Sequence, residues 1–500
     1  MKIPVQVVNF SACSPPIGMQ YIPYQQMQTP YIQSENMIFY QMLMPKAVHQ
    51  SPEPPHREQK RVPKQRLRTA SSGTRTSSGS NRHSLPSWAL DKNNEMYYNL
   101  TIADVLEHDS VVDFAMEKLG CQFLQENFDE TTHHQKIGII NSIIGKRDTF
   151  LKMCKNVFAN YFVQRILDEL NQEQTLLVIE HISHHSEELS VDKFACRVIQ
   201  KLIEKPNNIS KMISYMLMEK SNPIHVCTSQ SGNHVLQKLI KETPLSYWKE
   251  LIYQLESRDS NVFLDVGLNR FGCRVIQAAI NELSNPKRDL ERREERQCGL
   301  KKIMSKIIFY CRQLACSDHG NYLIQFILSA PSGCELEPFR DEIITKCLCR
   351  NLLSLSQEKF SSHVVQCAFD HAPVHLLAIM LDEIFEGYVP HPETGKDAVD
   401  ILMFHQYGNY VFQTILIKCC KFKNLHSYCS ETGEEKPVFQ QWLKKIQQRV
   451  YKEKIRLDRF SSGKKIIAIM HQYEDWGTSG PSRRGSCRSD LTTSCDEYSQ

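Results

Sequence analysis

No run of apolar residues in this chain reaches the roughly 18 that a membrane-spanning helix needs. The first residues, MKIPVQVVNFSACSPP, hold an apolar patch too short and too interrupted for a secretory signal. No P-loop, GxGxxG, GxSxG or HExxH motif occurs. No enzymatic activity, metal site or cofactor is therefore expected. Charge of neither sign dominates: 60 Lys and Arg against 56 Asp and Glu leave a formal +4, so global charge points to no partner. Cysteine is not scarce, at 18, but metal spacing is. The pairs in CLC (347–349) and CC (419–420) have no second pair at zinc distance, and the thiols are scattered through apolar segments such as KMCKNVF. They read as buried, reduced thiols of an intracellular chain. HISHH (181–185) lies ahead of a helical segment and reads as surface histidines.

Composition divides the 500 residues, although length alone would allow several domains. Residues 1–86 are rich in Pro, Gln, Met, Tyr and Ser, and within them 56–84 carry eight Lys/Arg and one acidic residue. This segment and the tail 477–500 cannot bury enough apolar surface to offset chain entropy, and both are expected to be disordered. The basic stretch suits sequence-independent attraction to nucleic acid as well as it suits an inert linker. RLRTAS and RRGS resemble basophilic kinase sites, with Ser71 and Ser486 as acceptors. Residues 87–476 form the folded domain.

What fills that domain is a repeat. FACRVIQKLI (194–203) and FGCRVIQAAI (271–280) are near copies, and six more segments match them. In chain order the eight are LGCQFLQENF, FANYFVQRIL, FACRVIQKLI, SGNHVLQKLI, FGCRVIQAAI, HGNYLIQFIL, SSHVVQCAF and YGNYVFQTIL. Their first variable residues are Cys121, Asn160, Cys196, Asn233, Cys273, Asn321, Ser362 and Asn409, separated by 39, 36, 37, 40, 48, 41 and 47 residues. The long gaps hold polar insertions, NELSNPKRDLERREERQCG and EGYVPHPETGKDAVD, expected as loops. RFSSGKKIIAIM (459–470) is a degenerate ninth copy suited to a terminal cap. In the third motif Val198, Ile199, Leu202 and Ile203 make one buried helical face, while Cys196 and Gln200, four apart, share another. Helical units of this length cannot bury their apolar faces alone and must stack. The expected fold is all-α, a right-handed superhelical solenoid of eight armadillo-like repeats with terminal caps.

Any one of these exposed triplets is ordinary for a solvated helix; eight in register are not. The fifth motif position is always glutamine: Gln125, Gln164, Gln200, Gln237, Gln277, Gln325, Gln366 and Gln413. The second is mostly flat: Tyr161, Arg197, His234, Arg274, Tyr322, His363 and Tyr410, with Gln122 the exception. Flat and cationic side chains at one spacing suit stacking between unpaired bases, and a neighbouring amide suits a base edge.

The eight motifs, NYxxQ and CRxxQ above all, resemble those of the Pumilio (PUF) RNA-binding family across residues 87–476. The resemblance implies that the first and fifth positions read a base edge, that the second stacks, and that the last repeat meets the 5′ base. An amide donates and accepts, which suits uracil or adenine and fits guanine poorly. Asn beside it reaches a pyrimidine's O2; Cys or Ser leaves room for a purine. The family pattern in repeat seven, Ser-Asn-x-x-Glu, accepts from both guanine donors. Here Ser362-His363-x-x-Gln366 lacks one acceptor, so adenine or a relaxed purine choice is expected. The implied element is U-[A/G]-U-A-N-A-U-A, a UGUA-like sequence in messenger RNA 3′ untranslated regions. The resemblance further implies a cytoplasmic regulator of translation and message stability, a repressor working through co-repressor and deadenylase-complex proteins, with one copy per RNA site. Tyr388, in the insertion between the last two repeats, is the expected contact for a protein partner. An armadillo- or HEAT-like protein scaffold and a nucleolar ribosome-biogenesis factor of the wider group are the alternatives.

Overall fold

The apolar periodicity does become helix, and the helices recur in a fixed order. The computed structural model describes residues 84–257, 261–288, 292–422 and 438–474, with the two-residue strands Ile3–Pro4, Ser427–Tyr428 and Glu435–Lys436. The basic stretch up to residue 83, with Ser71, and the tail from 475, with Ser486, lie outside the described residues. All eight motifs lie on helices: α1 (Lys118–Asn127), α2 (Ala159–Leu167), α3 (Ala195–Ile203), α4 (Gly232–Glu242), α5 (Gly272–Ser284), α6 (Gly320–Leu328), α7 (Ser361–His371) and α8 (Gly408–Lys421). A short helix precedes each one, as Ser186–Val191 precedes α3 and Val262–Leu268 precedes α5.

Each motif helix packs on the next, from α1 through α8, to make one layer. The longer helices of successive repeats make a second, in which Gln172–Ile182 packs on Asn207–Glu219 and Lys249–Glu256 packs on Arg293–Phe309. The face expected to be buried is buried: Val198, Ile199, Leu202 and Ile203 are all at most 2% exposed. Each such side chain contributes about 1.5–3 kcal/mol when fully removed from water, and every repeat is covered in part by its neighbours. The chain is thus an all-α solenoid of eight repeats. Ion pairs lace the motif layer from one repeat to the one before it: Arg165 with Asp129, Lys201 with Asp168 at 3.2 Å, Lys238 with Glu204 at 2.8 Å and Lys418 with Asp370 at 3.3 Å.

The residue just before the first motif position is Gly, Ala or Ser in every repeat, and packing requires it. A Cβ at Gly232 would stand 2.4 Å from the Val226 carbonyl oxygen, and one at Gly272 would stand 2.5 Å from that of Val266. The motif helix rests directly on the backbone of the short helix before it. The ninth copy keeps this contact, since a Cβ at Gly463 would stand 2.1 Å from the Leu457 carbonyl oxygen. Its helix, α10 (Ser461–Glu474), closes the array against α8, alongside α9 (Val438–Lys452).

Three expectations are corrected. The first insertion is not a loop throughout. Residues 281–284 extend α5, and 293–299 begin the helix Arg293–Phe309. Arg296, which reads as polar loop, is 3% exposed and meets Glu335 through two hydrogen bonds of 2.9 and 2.7 Å. Second, His181 is not a surface histidine. It is buried, with Nε2 at 2.8 Å from the Ile144 carbonyl oxygen. Third, Tyr388 is 8% exposed rather than presented to solvent. Its hydroxyl donates to Glu383 at 2.5 Å and accepts from the Leu353 amide at 3.0 Å, which anchors the insertion to repeat seven. Its strand β2 (Tyr388–Val389) pairs in parallel with β1 (Ile3–Pro4). Among the described residues no helix is long and apolar enough to cross a membrane.

The glycine contact makes a prediction. Gly272→Val forces a side chain into the Val266 carbonyl, and overpacking of this kind costs about 1–3 kcal/mol. A lowered unfolding midpoint in urea checks it.

Candidate nucleic-acid interface

The motif helices begin on a cap, and the site is built from that cap. In seven of the eight repeats, all but the seventh, a polar side chain four residues before the first position accepts two backbone N–H groups of the opening turn. Asn156 Oδ1 accepts from Phe158 and Ala159 at 2.8 and 2.9 Å; Asp192 Oδ1 accepts from Phe194 and Ala195 at 2.8 Å each. Asn269 serves α5 in the same way, and Ser229 and Ser317 serve α4 and α6 through their hydroxyls. In repeat eight the acceptor is His405 Nδ1, 3.2 Å from the amides of Tyr407 and Gly408. Glu117 caps α1. These residues escape a reading of the sequence because their types vary; the signal was a polar residue at a constant offset.

The cap also fixes the asparagines. Asn160 Nδ2 donates to the carbonyls of Asn156 and Val157 at 2.9 and 3.1 Å, so its Oδ1 faces outward. Asn233, Asn321 and Asn409 repeat the arrangement on their own caps. The outward oxygen accepts from the glutamine one turn on. Gln164, Gln237, Gln325 and Gln413 donate from Nε2 to that oxygen at 3.0, 2.8, 2.6 and 3.0 Å. In the free protein, then, no asparagine has a spare donor for a pyrimidine O2. Asparagine is the anchor, and glutamine holds the open amide edge. The first-position residues are at most 5% exposed, and the glutamines are half-buried.

The cysteine repeats differ in what holds the glutamine. Gln200 donates to the Cys196 carbonyl at 3.2 Å, and Gln125 lies 3.4 Å from the Cys121 carbonyl and 3.3 Å from its Sγ. Burial pushes the Cys121 thiol up to about 11 and raises those of Cys196 and Cys273, so all three stay protonated at neutral pH. A short thiol leaves more depth beside the amide than asparagine does. Ser362 takes this place in repeat seven, its hydroxyl donating to the Lys359 carbonyl at 3.1 Å.

The second-position side chains stand outside this amide row. Arg197, His234, Arg274, Tyr322, His363 and Tyr410 are exposed, Tyr161 is half-buried, and Gln122 is tied to Glu126 at 2.8 Å. They form a row and not isolated points. Packing against its surroundings lowers the pKa of His234, and the guanidiniums of Arg197 and Arg274, from the repeats on either side, lower it further. Flat groups therefore alternate with amide edges along the layer. Tyr388 stands apart from this face, on the insertion. Among the described residues, no group of three or more His, Cys, Asp or Glu is placed to hold a metal ion.

Burial lowers the pKa of His405, and only its neutral form can accept at Nδ1. A depressed histidine pKa contributes stability that is complete above the unfolded value, about 6.5, and is lost as pH falls through the folded value. His405→Asn keeps an acceptor without a titration. Its unfolding midpoint should fall less than that of the wild-type chain between pH 7 and pH 5, as read by circular dichroism.

Comparison with known proteins follows the same repeats. A family profile described as "Pumilio-family RNA binding repeat" matches residues 110–144, 150–183, 185–213, 224–253, 263–290, 310–333, 351–385 and 400–421. The chain is 40% identical over 401 residues to Fem-3 mRNA-binding factor 2 of Caenorhabditis elegans, a match covering 77% of this chain and 62% of that protein. It is 37% identical over 391 residues to Pumilio domain-containing protein 5 of the same organism, covering 78% and 70%. A crystal structure of PUF-6 in complex with 5BE13 RNA superposes with a TM-score of 0.67 at 32% identity, over 75% of this chain and 100% of that one.

Proposed function

The chain belongs to the Pumilio family of RNA-binding repeat proteins, and on that premise we propose that it binds single-stranded RNA sequence-specifically, one base per repeat, along the layer of motif helices. The register of the amides carries the reading. A glutamine whose nitrogen is tied once to its own helix keeps one N–H and its oxygen. That pair complements the N3–H and O4 of uracil or the N1 and N6–H of adenine, while the exposed rings and guanidiniums stack on the base faces. With the asparagine repeats two, six and eight taking uracil, repeat four (Asn233) taking uracil or any base, cysteine repeats taking adenine, repeat seven a purine and repeat eight at the 5′ end, the element is U-[A/G]-U-A-N-A-U-A. The relative named as an mRNA-binding factor and the RNA-bound neighbour support this ligand class.

The biological setting follows from the family resemblance. The chain acts in the cytoplasm on messenger RNA 3′ untranslated regions, one copy per site, and represses translation or shortens messages through co-repressor and deadenylase proteins. It does so as a binding module and not as an enzyme.

Fluorescence anisotropy of the full chain with labelled UGUAUAUA, UAUAUAUA and ACAAUAUA tests the reading. The expected result is tight binding to at least one of the first two and none to the third; equal, feeble binding to all three sinks it. Tyr322→Ala should weaken the bound complex by roughly 1–3 kcal/mol, the scale of one base stack.

A further inference from the structure

The eight repeats carry one more alternation, and it lies outside the base-reading triplets. Three residues before the first motif position stand Lys118, Lys193, Arg270 and Lys359, in repeats one, three, five and seven. In repeats two, four, six and eight the same place holds Val157, Gln230, Asp318 and Gln406. A cation is present wherever the first position is Cys or Ser and absent wherever it is Asn. All eight of these residues are exposed.

Packing within the repeat does not ask for the cation. Lys193 lies over the ring of Phe194 at 4.6 Å, Arg270 over Phe271 at 5.0 Å and Lys359 over Phe360 at 5.1 Å. Yet repeat two has the same ring, Phe158, behind Val157, and repeat one has Lys118 before Leu119, with no ring at all. The cation follows the identity of the first-position residue and not that of the ring. Nor do carboxylates take up the charge. Among the described residues none of Lys118, Lys193 and Arg270 makes an ion pair, whereas Arg165, Lys201 and Lys238, just past the glutamines, all do.

The backbone ties this place to the reading edge. The Lys193 carbonyl accepts from Cys196 Sγ at 3.7 Å, that of Arg270 from Cys273 Sγ at 3.6 Å, and that of Lys359 from Ser362 Oγ at 3.1 Å. Each of these cations therefore starts beside the residue that leaves room for a purine. A purine carries its sugar farther from its pairing edge than a pyrimidine does, because two fused rings lie between them. With the pairing edge held at the glutamine, the sugar and phosphate of a purine nucleotide stand farther out from the helix layer. A long cationic side chain spans that gap, and the residues of the asparagine repeats have no positive charge to offer there.

We infer that Lys118, Lys193, Arg270 and Lys359 form a phosphate-binding row, in which each holds the sugar-phosphate link of the purine nucleotide taken by its own repeat. Every second nucleotide of the RNA is then clamped by its backbone. The row rests on the RNA-binding reading above and adds to its base contacts a contact that positions the strand without choosing among bases.

Fluorescence anisotropy of the full chain with UGUAUAUA across a salt series tests the row. On single strands each phosphate contact contributes about 0.7 to the slope of log affinity against log salt concentration. Lys193→Gln and Arg270→Gln should each flatten that slope by about 0.7, and changing all four cations to Gln should flatten it by roughly 3. Lys201→Gln removes the same charge from a paired position and should leave the slope as it is. The ratio of affinities for UGUAUAUA and UAUAUAUA should stay the same in every variant. An oligomer with uncharged methylphosphonate links on both sides of its sixth nucleotide, the adenine of repeat three, locates one contact. The wild type should lose more affinity to that change than Lys193→Gln does. An equal loss in the two chains overturns the inference. So does a fourfold variant with an unchanged slope, a Lys201→Gln slope that flattens as much as that of Lys193→Gln, or a shifted base ratio. Absence of binding to every oligomer would instead remove the RNA-binding reading, and this inference with it.

Discussion

In seven of the eight repeats one polar residue, four positions before the first motif position, holds the exposed face of this protein in order. In the asparagine repeats it does two things at once. Its side chain closes the free amides of the helix's opening turn, and its carbonyl takes the amide nitrogen of the asparagine that follows. The asparagine oxygen then takes the glutamine. The surface amide is thus the third link of a chain that begins in the backbone, and its position varies only as far as the helix start does. The close contact of Gly232 or Gly272 with the preceding carbonyl sets that start in their repeats.

The stacking of repeats explains how the array tolerates irregular spacing. Motif helix packs on motif helix whether 36 or 48 residues intervene. Extra length is absorbed where it does not enter that layer, in the extension of α5 and the helix Arg293–Phe309 in one case and around β2 in the other. Both insertions are stitched down by buried polar contacts, Arg296 to Glu335 and Tyr388 to Glu383. Each contact satisfies a group that would otherwise be costly to bury.

Much of this was legible in the residues. The eight glutamines, the alternation of Asn with Cys and the apolar helical face are all local regularities, and local regularities survive in a sequence. What was not legible depends on partners far along the chain. The buried state of Arg296 follows from Glu335, that of His181 from the carbonyl of Ile144, and that of Tyr388 from Glu383 and Leu353. Each looks solvated when only its neighbours in sequence are counted. The caps were hidden for a different reason. Asn, Asp, Ser, His and Glu do one job through unlike groups, so identity gives no clue where position does. The hold of the caps on asparagine was hidden too, because its donors meet carbonyls that carry no residue signature at all.

The ion pairs between successive motif helices bear on how salt would act. Lys201, Lys238 and Lys418 follow the motif glutamines closely, where cations would meet a polyanion, yet each already faces an acidic side chain from the preceding repeat. A cation so paired releases few counterions when a phosphate approaches, because its charge is largely neutralised beforehand. Affinity on such a face draws less on ionic attraction than on stacked rings and shared protons, so its logarithm should change only gently with the logarithm of salt concentration. A chain built this way would hold one sequence in a crowded, ion-rich cell without being drawn to every other strand of nucleic acid that carries the same backbone.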